Sequence, residues 1–239
     1  MKFLIPSKGR SDRIHKVLDI LGKKNLYVYV HESEYDKYLP IVGKQCLKTH
    51  NVKGMAAIRK FMYNDNKKEN YICQVDDDFG GMIYRFDGSQ SLELIVDSKH
   101  IRSVIENSYY VANDMKTPYF TYDGVNNPTF YNALKLTKFS GVSAMFGIIP
   151  SLMGDIDFDT RFKIMEDYDL LAHIKSVVRY VFVDLRYAVR FHDTYTQEGG
   201  CSTIRSMTDL ETAGNLLRKK YGSSSVKKDK LQYNLVFSY

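Results

Sequence analysis

The first third of the chain alternates short apolar runs with segments of helical periodicity. Met1 to Ile5 is apolar enough for a buried strand, and a polar loop, Pro6 to Arg10, follows it. The next apolar residues recur at the spacing of one helix face: Ile14, Val17, Leu18 and Leu21. Gly22 then suits the end of that helix. The pattern predicts a strand, a loop and a helix in succession.

The same alternation continues up to residue 75. Leu26 to Val30 is almost continuously apolar, as strands buried in parallel sheets tend to be. A helix is predicted from about Gly54 to Tyr63, and Tyr71 to Val75 forms the next apolar strand. This β-α-β-α-β order predicts a parallel sheet covered by helices and joined by right-handed crossovers.

The second half is less regular and predicts mixed secondary structure. The expected helices are Ser98 to Met115, Glu166 to Lys175 and Thr208 to Tyr221. The expected strands are Leu92 to Val96, Tyr119 to Tyr122, Ser140 to Ile149, Val177 to Val183 and Tyr187 to Phe191. With no repeat or linker, we predict one α/β domain over residues 1–221, with a mostly parallel central sheet and helices on both faces. Residues 222–239 form a basic C-terminal extension that packs on this domain or flanks it.

Composition narrows the class of protein. The 239 residues are 44% hydrophobic, which is enough for a core and argues against disorder. No apolar run is long enough to cross a bilayer, and no secretion signal opens the chain. Its three cysteines are scattered, which argues against a disulfide framework or a zinc ribbon. We therefore expect a soluble cytoplasmic protein, in the host cytoplasm if the chain is viral.

Three consecutive carboxylates, Asp76 to Asp78, directly follow the strand that ends at Val75. In open α/β folds, ligands bind at the carboxyl edge of the sheet. Adjacent anions repel one another, so a compensating cation is expected, and Mg²⁺ or Mn²⁺ suits oxygen ligands. If strand geometry persists, Asp76 and Asp78 point the same way. The alternative is a solvated acidic turn.

Two later motifs add candidate chemistry. Phe158-Asp159-Thr160-Arg161-Phe162 precedes Glu166-Asp167-Tyr168-Asp169-Leu170 at a predicted helix start, where acidic residues are also favoured by the helix dipole. Phe191-His192-Asp193 follows an apolar segment and leads into a glycine-hinged polar loop, which includes Gly199 and Gly200. Either His192 or Asp193 could be the functional side chain.

In this order, the motifs resemble those of the GT-A glycosyltransferases over roughly residues 1 to 205. The shared features are the strand that ends in a loop, the Asp-x-Asp triplet, the Glu-Asp helix start and the late histidine. The opening Ile5-Pro6-Ser7-Lys8-Gly9-Arg10 is similar to a narrower group, the phage-type TET/JBP-associated glycosyltransferases. The resemblance implies a single Rossmann-like GT-A domain that transfers a sugar from a nucleotide donor.

The resemblance also implies how the donor, a UDP-sugar, is bound. The implied donor contacts are Pro6, Ser7, Lys8, Arg10, Glu32, Arg59, Asp76, Asp77 and Gly141. Of these, the cations would lie near the phosphates or the base, and Glu32 near the uracil or ribose. Asp76 would face the ribose, with Asp77 able to replace either neighbour, and Gly141 would face the sugar.

The resemblance also implies which residues bind the metal ion and which residue acts as the general base. Asp78 would bind the Mn²⁺ or Mg²⁺ ion that bridges the diphosphate, and His192 would complete the metal shell. Asp167 would be the general base, with Glu166 or Asp169 orienting the acceptor. A single displacement with inversion follows most simply, since Asp167 then needs only to accept a proton.

The expected acceptor is a hydroxymethylated pyrimidine in DNA. The net charge of +6 and pI near 9.0 favour a polyanionic partner. Candidate phosphate contacts are Lys99, Arg102, Lys116, Lys219, Lys220, Lys227, Lys228 and Lys230. The alternatives are a glycan, lipid-linked or protein acceptor, a nucleotidyltransferase, and a nucleotide- or DNA-binding module without catalysis. The sugar and the oligomeric state stay open.

Overall fold

A computed structural model describes residues 1–85, 93–124, 137–138, 141–191, 207–222, 226–229 and 232–235. Its helices in these ranges are α1 (Ile14–Leu21), α2 (Tyr35–Val42), α3 (Met55–Asn66), α4 (Ser98–Asp114), α5 (Glu166–Val178) and α6 (Met207–Tyr221). Its strands there are β1 (Lys2–Pro6), β2 (Leu26–His31), β3 (Leu47–His50), β4 (Ile72–Val75), β5 (Phe79–Tyr84), β6 (Leu94–Ile95), β7 (Tyr119–Asp123), β8 (Thr137–Lys138), β9 (Met145–Ile148), β10 (Phe182–Phe191), β11 (Val226–Asp229) and β12 (Gln232–Leu235).

One large mixed sheet runs through the described part of the chain, in the order β3-β2-β1-β4-β9-β7-β10-β5-β6, with β8 paired to β10. The four strands β3, β2, β1 and β4 are parallel, as the early β-α-β pattern predicts. Beyond β4 the pairing is mixed: β9 is antiparallel to β4 and β7, and β10 is parallel to β7. The predicted mixed second half is confirmed.

The sheet separates two apolar cores, because neighbouring side chains on a strand point to opposite faces. In β1, Phe3 and Ile5 pack into one core, which α1, α2 and α4 cover. Leu4, between them, packs into the other core, which α3 and α5 cover. Helices therefore lie on both faces, as predicted, and all three of these β1 side chains are fully buried.

Several elements of the fold were not predicted from the pattern, among them α2, β3 and β5. Helix α2 contains Pro40, which normally breaks a helix interior. Strand β3 buries only Leu47 and His50, so it shows no apolar alternation. Strand β5 contains Gly81 with φ of +120°, a residue type typical of turns.

The strands predicted between residues 177 and 191 were also placed incorrectly. Helix α5 continues to Val178, and Arg179 ends it in a left-handed conformation with φ of 77°. One strand, β10, then runs from Phe182 to Phe191, although its register shifts between Asp184 and Ala188. The shift explains why the pattern looked like two strands.

At the end of the chain, β11 and β12 form an antiparallel hairpin within the region predicted as a C-terminal extension. This hairpin contacts α6. Among the described residues, none of the helices combines the length and the apolar character that crossing a membrane requires.

Candidate active site

The carboxyl ends of the parallel strands β1, β2 and β4 lie at one edge of the sheet, as parallel pairing requires. The segments that follow β1 and β4 meet there. They are the loop Ser7–Arg10 and the acidic triplet Asp76–Asp78, joined by direct hydrogen bonds. The first turn of α5 adjoins the same edge through Glu166.

The loop after β1 is held in shape by the segment that follows β2. Gly9 adopts a left-handed φ of 67°, which favours glycine, and its backbone N–H donates to Oε1 of Glu34 at 2.9 Å. The backbone N–H of Arg10 donates to the hydroxyl of Tyr38 at 2.9 Å. Glu34 and Tyr38 thus hold the backbone of this loop in its conformation.

Asp77 is the member of the triplet that this loop binds. The hydroxyl of Ser7 donates to Oδ2 of Asp77 at 2.6 Å, and the guanidinium of Arg10 donates to Oδ1 at 2.6 Å. The Tyr38 hydroxyl lies 2.8 Å from the Ser7 hydroxyl and completes the network. All four side chains are largely buried, so Asp77 serves to anchor the loop.

The three aspartates do not alternate as in a strand, contrary to the prediction that Asp76 and Asp78 point the same way. A turn begins at Asp76, whose carbonyl accepts from the N–H of Phe79 at 3.2 Å. Asp78 consequently lies on the Arg10 side, at 3.5 Å, while Asp76 contacts Arg59. Burial raises the pKa of Asp78 to about 7, and the charges of Asp76 and Asp77 add to this effect.

Arg59 of α3 joins the two acidic clusters. Its Nη2 donates to Asp76 at 2.8 Å, and its Nε donates to Glu166 at 2.9 Å. The guanidinium also lies over the ring of Phe146, 5.1 Å from the centroid. The Arg59 side chain is only 3% exposed, so it is committed to this bridge. The resemblance had implied that it contacts the nucleotide.

Asp167 follows Glu166 on the first turn of α5 and is half-buried. One of its oxygens accepts from the backbone N–H of Tyr168 at 2.9 Å. Burial raises the pKa of Asp167 to about 7, the charge of Glu166 adds to this, and Arg59 opposes it. A carboxylate with such a pKa can take up and release a proton near neutral pH.

The remaining predicted donor residues occupy varied positions. Pro6 is buried at the end of β1, Lys8 is exposed on the loop, and Glu32 is exposed in a short 3₁₀ helix, Glu32–Glu34. Gly141 is half-buried at the start of a segment that reaches the site through Ala144, whose carbonyl accepts from Asp76 N–H at 3.1 Å.

His192, the predicted second metal ligand, lies outside the described residues, as do Asp193 and the glycines of the following loop. The residue before it is described. Phe191 ends β10 in register with Phe79, the first residue after Asp78. Sheet pairing thus brings the last described residue before His192 beside the acidic triplet.

Three other side chains lie in surroundings that contradict their predicted roles. Asp169, proposed to orient an acceptor, is 1% exposed and pairs with Lys220 at 2.5 Å. Lys220, proposed as a phosphate contact, also pairs with Asp159 at 3.0 Å. Arg102, proposed for the same role, donates to the carbonyl of Leu21 at 2.9 Å and fastens α4 to the end of α1.

Three residues of the site, Tyr38, Glu34 and Gln74, were not predicted from the sequence. Tyr38 and Glu34 lie in and before the unpredicted helix α2, so no pattern linked them to the loop after β1. Gln74 was a visible signal, since it is the one amide inside an otherwise apolar strand. Its Oε1 accepts from Nη1 of Arg59 at 3.4 Å and supports the bridge.

Within the described residues, no group of three or more histidine, cysteine, aspartate or glutamate side chains is arranged to hold a metal ion. Arg59 and Arg10 supply positive charge to Asp76 and Asp77. The compensating cation expected from the sequence is therefore partly supplied by the protein itself.

No protein-family model and no curated protein sequence matches the chain. Solved structures do match its fold. The structure of S. aureus TarS 1-349 in complex with UDP is 15% identical, with a TM-score of 0.50, over 95% of this chain and 76% of that one. A longer S. aureus TarS chain is 12% identical, with a TM-score of 0.49.

The chain covers 40% of that longer TarS chain. UDP-glucose pyrophosphorylase complexed with UDP-glucose is also similar, at 11% identity and a TM-score of 0.43 over 92% of this chain. At these identities the similarity concerns the fold, and it agrees with the single α/β GT-A-like domain that the sequence resemblance implied.

Proposed function

We propose that this chain is a glycosyltransferase that moves a sugar from a UDP-sugar to an acceptor hydroxyl. One observation carries the proposal. Two acidic clusters, distant in sequence, adjoin at the carboxyl edge of the sheet because the Arg59 guanidinium contacts both Asp76 and Glu166. Ligands bind at this edge in open α/β folds.

The proposed reaction needs one base and one site for the leaving group. The acceptor oxygen attacks the anomeric carbon of the sugar, and the bond between that carbon and the phosphate oxygen breaks. UDP leaves with the electron pair, and Asp167 takes the proton of the acceptor hydroxyl. A single displacement inverts the anomeric carbon, and NMR of the product would reveal retention if this step is wrong.

The donor would bind on the side of the loop after β1. Ser7 and Arg10 are buried there, and Pro6 ends the strand beneath them. Lys8 is exposed on the same loop, where its charge can meet a diphosphate. Asp76, with a side chain 30% exposed, is available to the ribose, and the Gly141 segment to the sugar.

A divalent ion fits this donor set if the donor supplies part of its shell. Mg²⁺ is commonly held by one or two carboxylates together with substrate phosphates and waters. Asp78 would be the carboxylate ligand and His192 a second ligand. Such an ion would stabilise the negative charge that develops on the leaving diphosphate.

For the acceptor, we propose a 5-hydroxymethylpyrimidine in DNA. The net charge of +6 supports a polyanionic partner, and Lys99 and Lys116 remain exposed candidates for phosphate contacts. A base inside a duplex would have to flip out to reach Asp167. Steep weakening of DNA binding with salt would support this acceptor, and a flat salt dependence would argue against it.

The alternatives share the site and differ in product. If the acceptor is a glycan or a protein, every proposed catalytic residue keeps its role and only the DNA acceptor is replaced. A nucleotidyltransferase would release pyrophosphate in place of UDP. A binding module would hold a nucleotide and show no turnover.

A UDP-release assay distinguishes these cases. The purified chain would be given Mn²⁺, a panel of UDP-sugars, and unmodified, hydroxymethyluracil or hydroxymethylcytosine DNA. We expect UDP release that requires the metal and a hydroxymethylated base. UDP release that DNA does not stimulate would indicate a glycan or protein acceptor. No release from any donor would contradict the proposed transferase.

A further inference from the structure

The helix that carries the proposed base begins without the usual stabilising cap. Met165, at the N-cap of α5, has a left-handed φ of 63°, and its own side chain makes no capping hydrogen bond. A residue with a side chain adopts this conformation only when its surroundings enforce it. The first turn of α5, residues 166–169, must therefore be held by tertiary contacts.

Two ion pairs, one buried and one partly buried, hold this turn from opposite ends. Arg59 pairs with Glu166 at its first residue. Lys220, near the end of α6, pairs with Asp169 at 2.5 Å, and the Tyr221 hydroxyl donates to the same carboxylate oxygen at 2.9 Å. The Tyr221 hydroxyl also lies 3.2 Å from the Asp169 backbone carbonyl. Asp167 lies between the two attachments.

Lys220 also contacts the segment that precedes the turn. Its ammonium lies 3.0 Å from Asp159 and over the ring of Phe162, 5.4 Å from the centroid. One ammonium thus connects α6 to the chain on both sides of Met165. This cluster of Lys220, Tyr221, Asp169 and Asp159 is called the α6 clamp below.

We infer that Lys220 and Tyr221 are positioning residues for Asp167, so that α6 is part of the catalytic apparatus. The inference rests on the proposed function, in which Asp167 accepts the acceptor proton. Proton transfer requires the base within hydrogen-bond reach of the hydroxyl, and small displacements of a catalytic group cost large factors in rate.

A purely stabilising role explains the α6 clamp less well. Taking charges out of water costs as much as their attraction returns, and apolar replacements of buried ion pairs are often neutral or stabilising. Asp169 is 1% exposed, and its Oδ2 has no hydrogen-bond partner among the residues that the structure describes. Directional contacts to both sides of one turn define its geometry, which apolar packing would not do.

The test compares Lys220→Met and Tyr221→Phe with the wild type in the UDP-release assay. We expect kcat to fall at least tenfold in Lys220→Met and about threefold in Tyr221→Phe, a smaller loss because one hydrogen bond to Asp169 disappears while its ion pair with Lys220 stays. The KM for the donor and the affinity for UDP should stay unchanged, since the donor side does not contact the clamp. Equal kcat in Lys220→Met and wild type would overturn the inference.

Two further variants separate positioning from folding. Lys220→Arg keeps the charge and should recover most of the lost kcat. Lys163→Met removes a lysine whose side chain is 73% exposed and only 4.0 Å from Asp209, so it should leave kcat unchanged. If Lys163→Met lowers kcat as much as Lys220→Met, the effect is general and the inference is wrong.

Amide hydrogen exchange tests the clamp independently of turnover. Lys220→Met should speed exchange at residues 166–170 and leave β1 and α1 as protected as in the wild type. Unchanged protection of α5 would overturn the inference even if activity fell. A wild-type chain without transferase activity would refute the proposed function, and the exchange result would still decide whether α6 fixes the turn.

Discussion

The two acidic clusters of the candidate site lie in different secondary structure, but their ion pairs follow a similar pattern. The first follows a strand, and a turn spreads Asp76 to Asp78 in different directions. The second begins a helix, where Glu166, Asp167 and Asp169 all lie in the first turn. In each cluster, two carboxylates make ion pairs of 2.9 Å or less.

The third carboxylate in each cluster is different. Asp78 has its nearest cation at 3.5 Å, and no ion pair of Asp167 is found in the described part of the chain. Burial raises the pKa of both to about 7. The carboxylates with the shorter ion pairs thus hold the site together, and this difference supports the proposal that Asp78 meets the ligand and Asp167 the proton.

Asp167→Asn should give the largest effect on turnover. General bases contribute about a hundred- to ten-thousandfold to rate, so we expect UDP release to fall about a thousandfold while UDP binding persists. Asp155→Asn, an exposed aspartate before α5, is the matched control and should be neutral. Turnover within tenfold of the wild type would contradict the role of Asp167.

Arg59→Met should break the link between the clusters. It leaves Asp76 and Glu166 without their buried partner, which typically costs about 3–5 kcal/mol in the free energy of unfolding. Arg13→Met, which removes an exposed pair with Asp12, should cost at most about 1 kcal/mol. Urea unfolding measures both, and equal losses would mean that Arg59 does not bridge the clusters.

The pH dependence of kcat/KM should reflect the ionisation of the proposed base in the second cluster. Asp167 accepts a proton only when ionised, and its pKa of about 7 lies above the ordinary value because of burial. The rate should therefore fall about tenfold per pH unit below about pH 7 and level off above it. A profile that stays flat down to about pH 5, where an ordinary carboxylate is still ionised, would contradict this.

Tyr38→Phe should have the smallest effect and concern only the first cluster. It removes the hydroxyl that binds the Arg10 backbone and Ser7, at a cost of about 1 kcal/mol, or about fivefold in UDP affinity. Tyr110→Phe, with Tyr110 57% exposed, is the control. A change in kcat without a change in UDP affinity would place Tyr38 elsewhere in the mechanism.

The sequence predicted the fold best where patterns are local. The spacing of Ile14 to Leu21 predicts α1, and the apolar runs predict β1, β2 and β4 in parallel order. The sequence did not predict α2, because Pro40 is atypical of a helix interior. The helix is stabilised by tertiary packing of Tyr38. The sequence also failed to place the junction between α5 and β10, where a register shift interrupts the strand.

For the site, the sequence indicated which carboxylates matter but not how they divide the work. Asp76 to Asp78 appear as equivalent neighbours in the sequence, and only the turn at Asp76 separates their partners. Asp169 looked like a member of the acidic helix start until its contact with Lys220 assigned it to the clamp. Such pairings join distant residues, and local patterns do not encode them.

In the proposed mechanism, Asp78 serves donor binding and Asp167 serves proton transfer. Isothermal titration of UDP in the presence of Mn²⁺ tests it directly, with Asp78→Asn and Asp167→Asn measured beside the wild type. We expect Asp78→Asn to lose metal-dependent UDP binding, whereas Asp167→Asn should bind UDP as the wild type does. Equal loss in both variants, or loss only in Asp167→Asn, would contradict it.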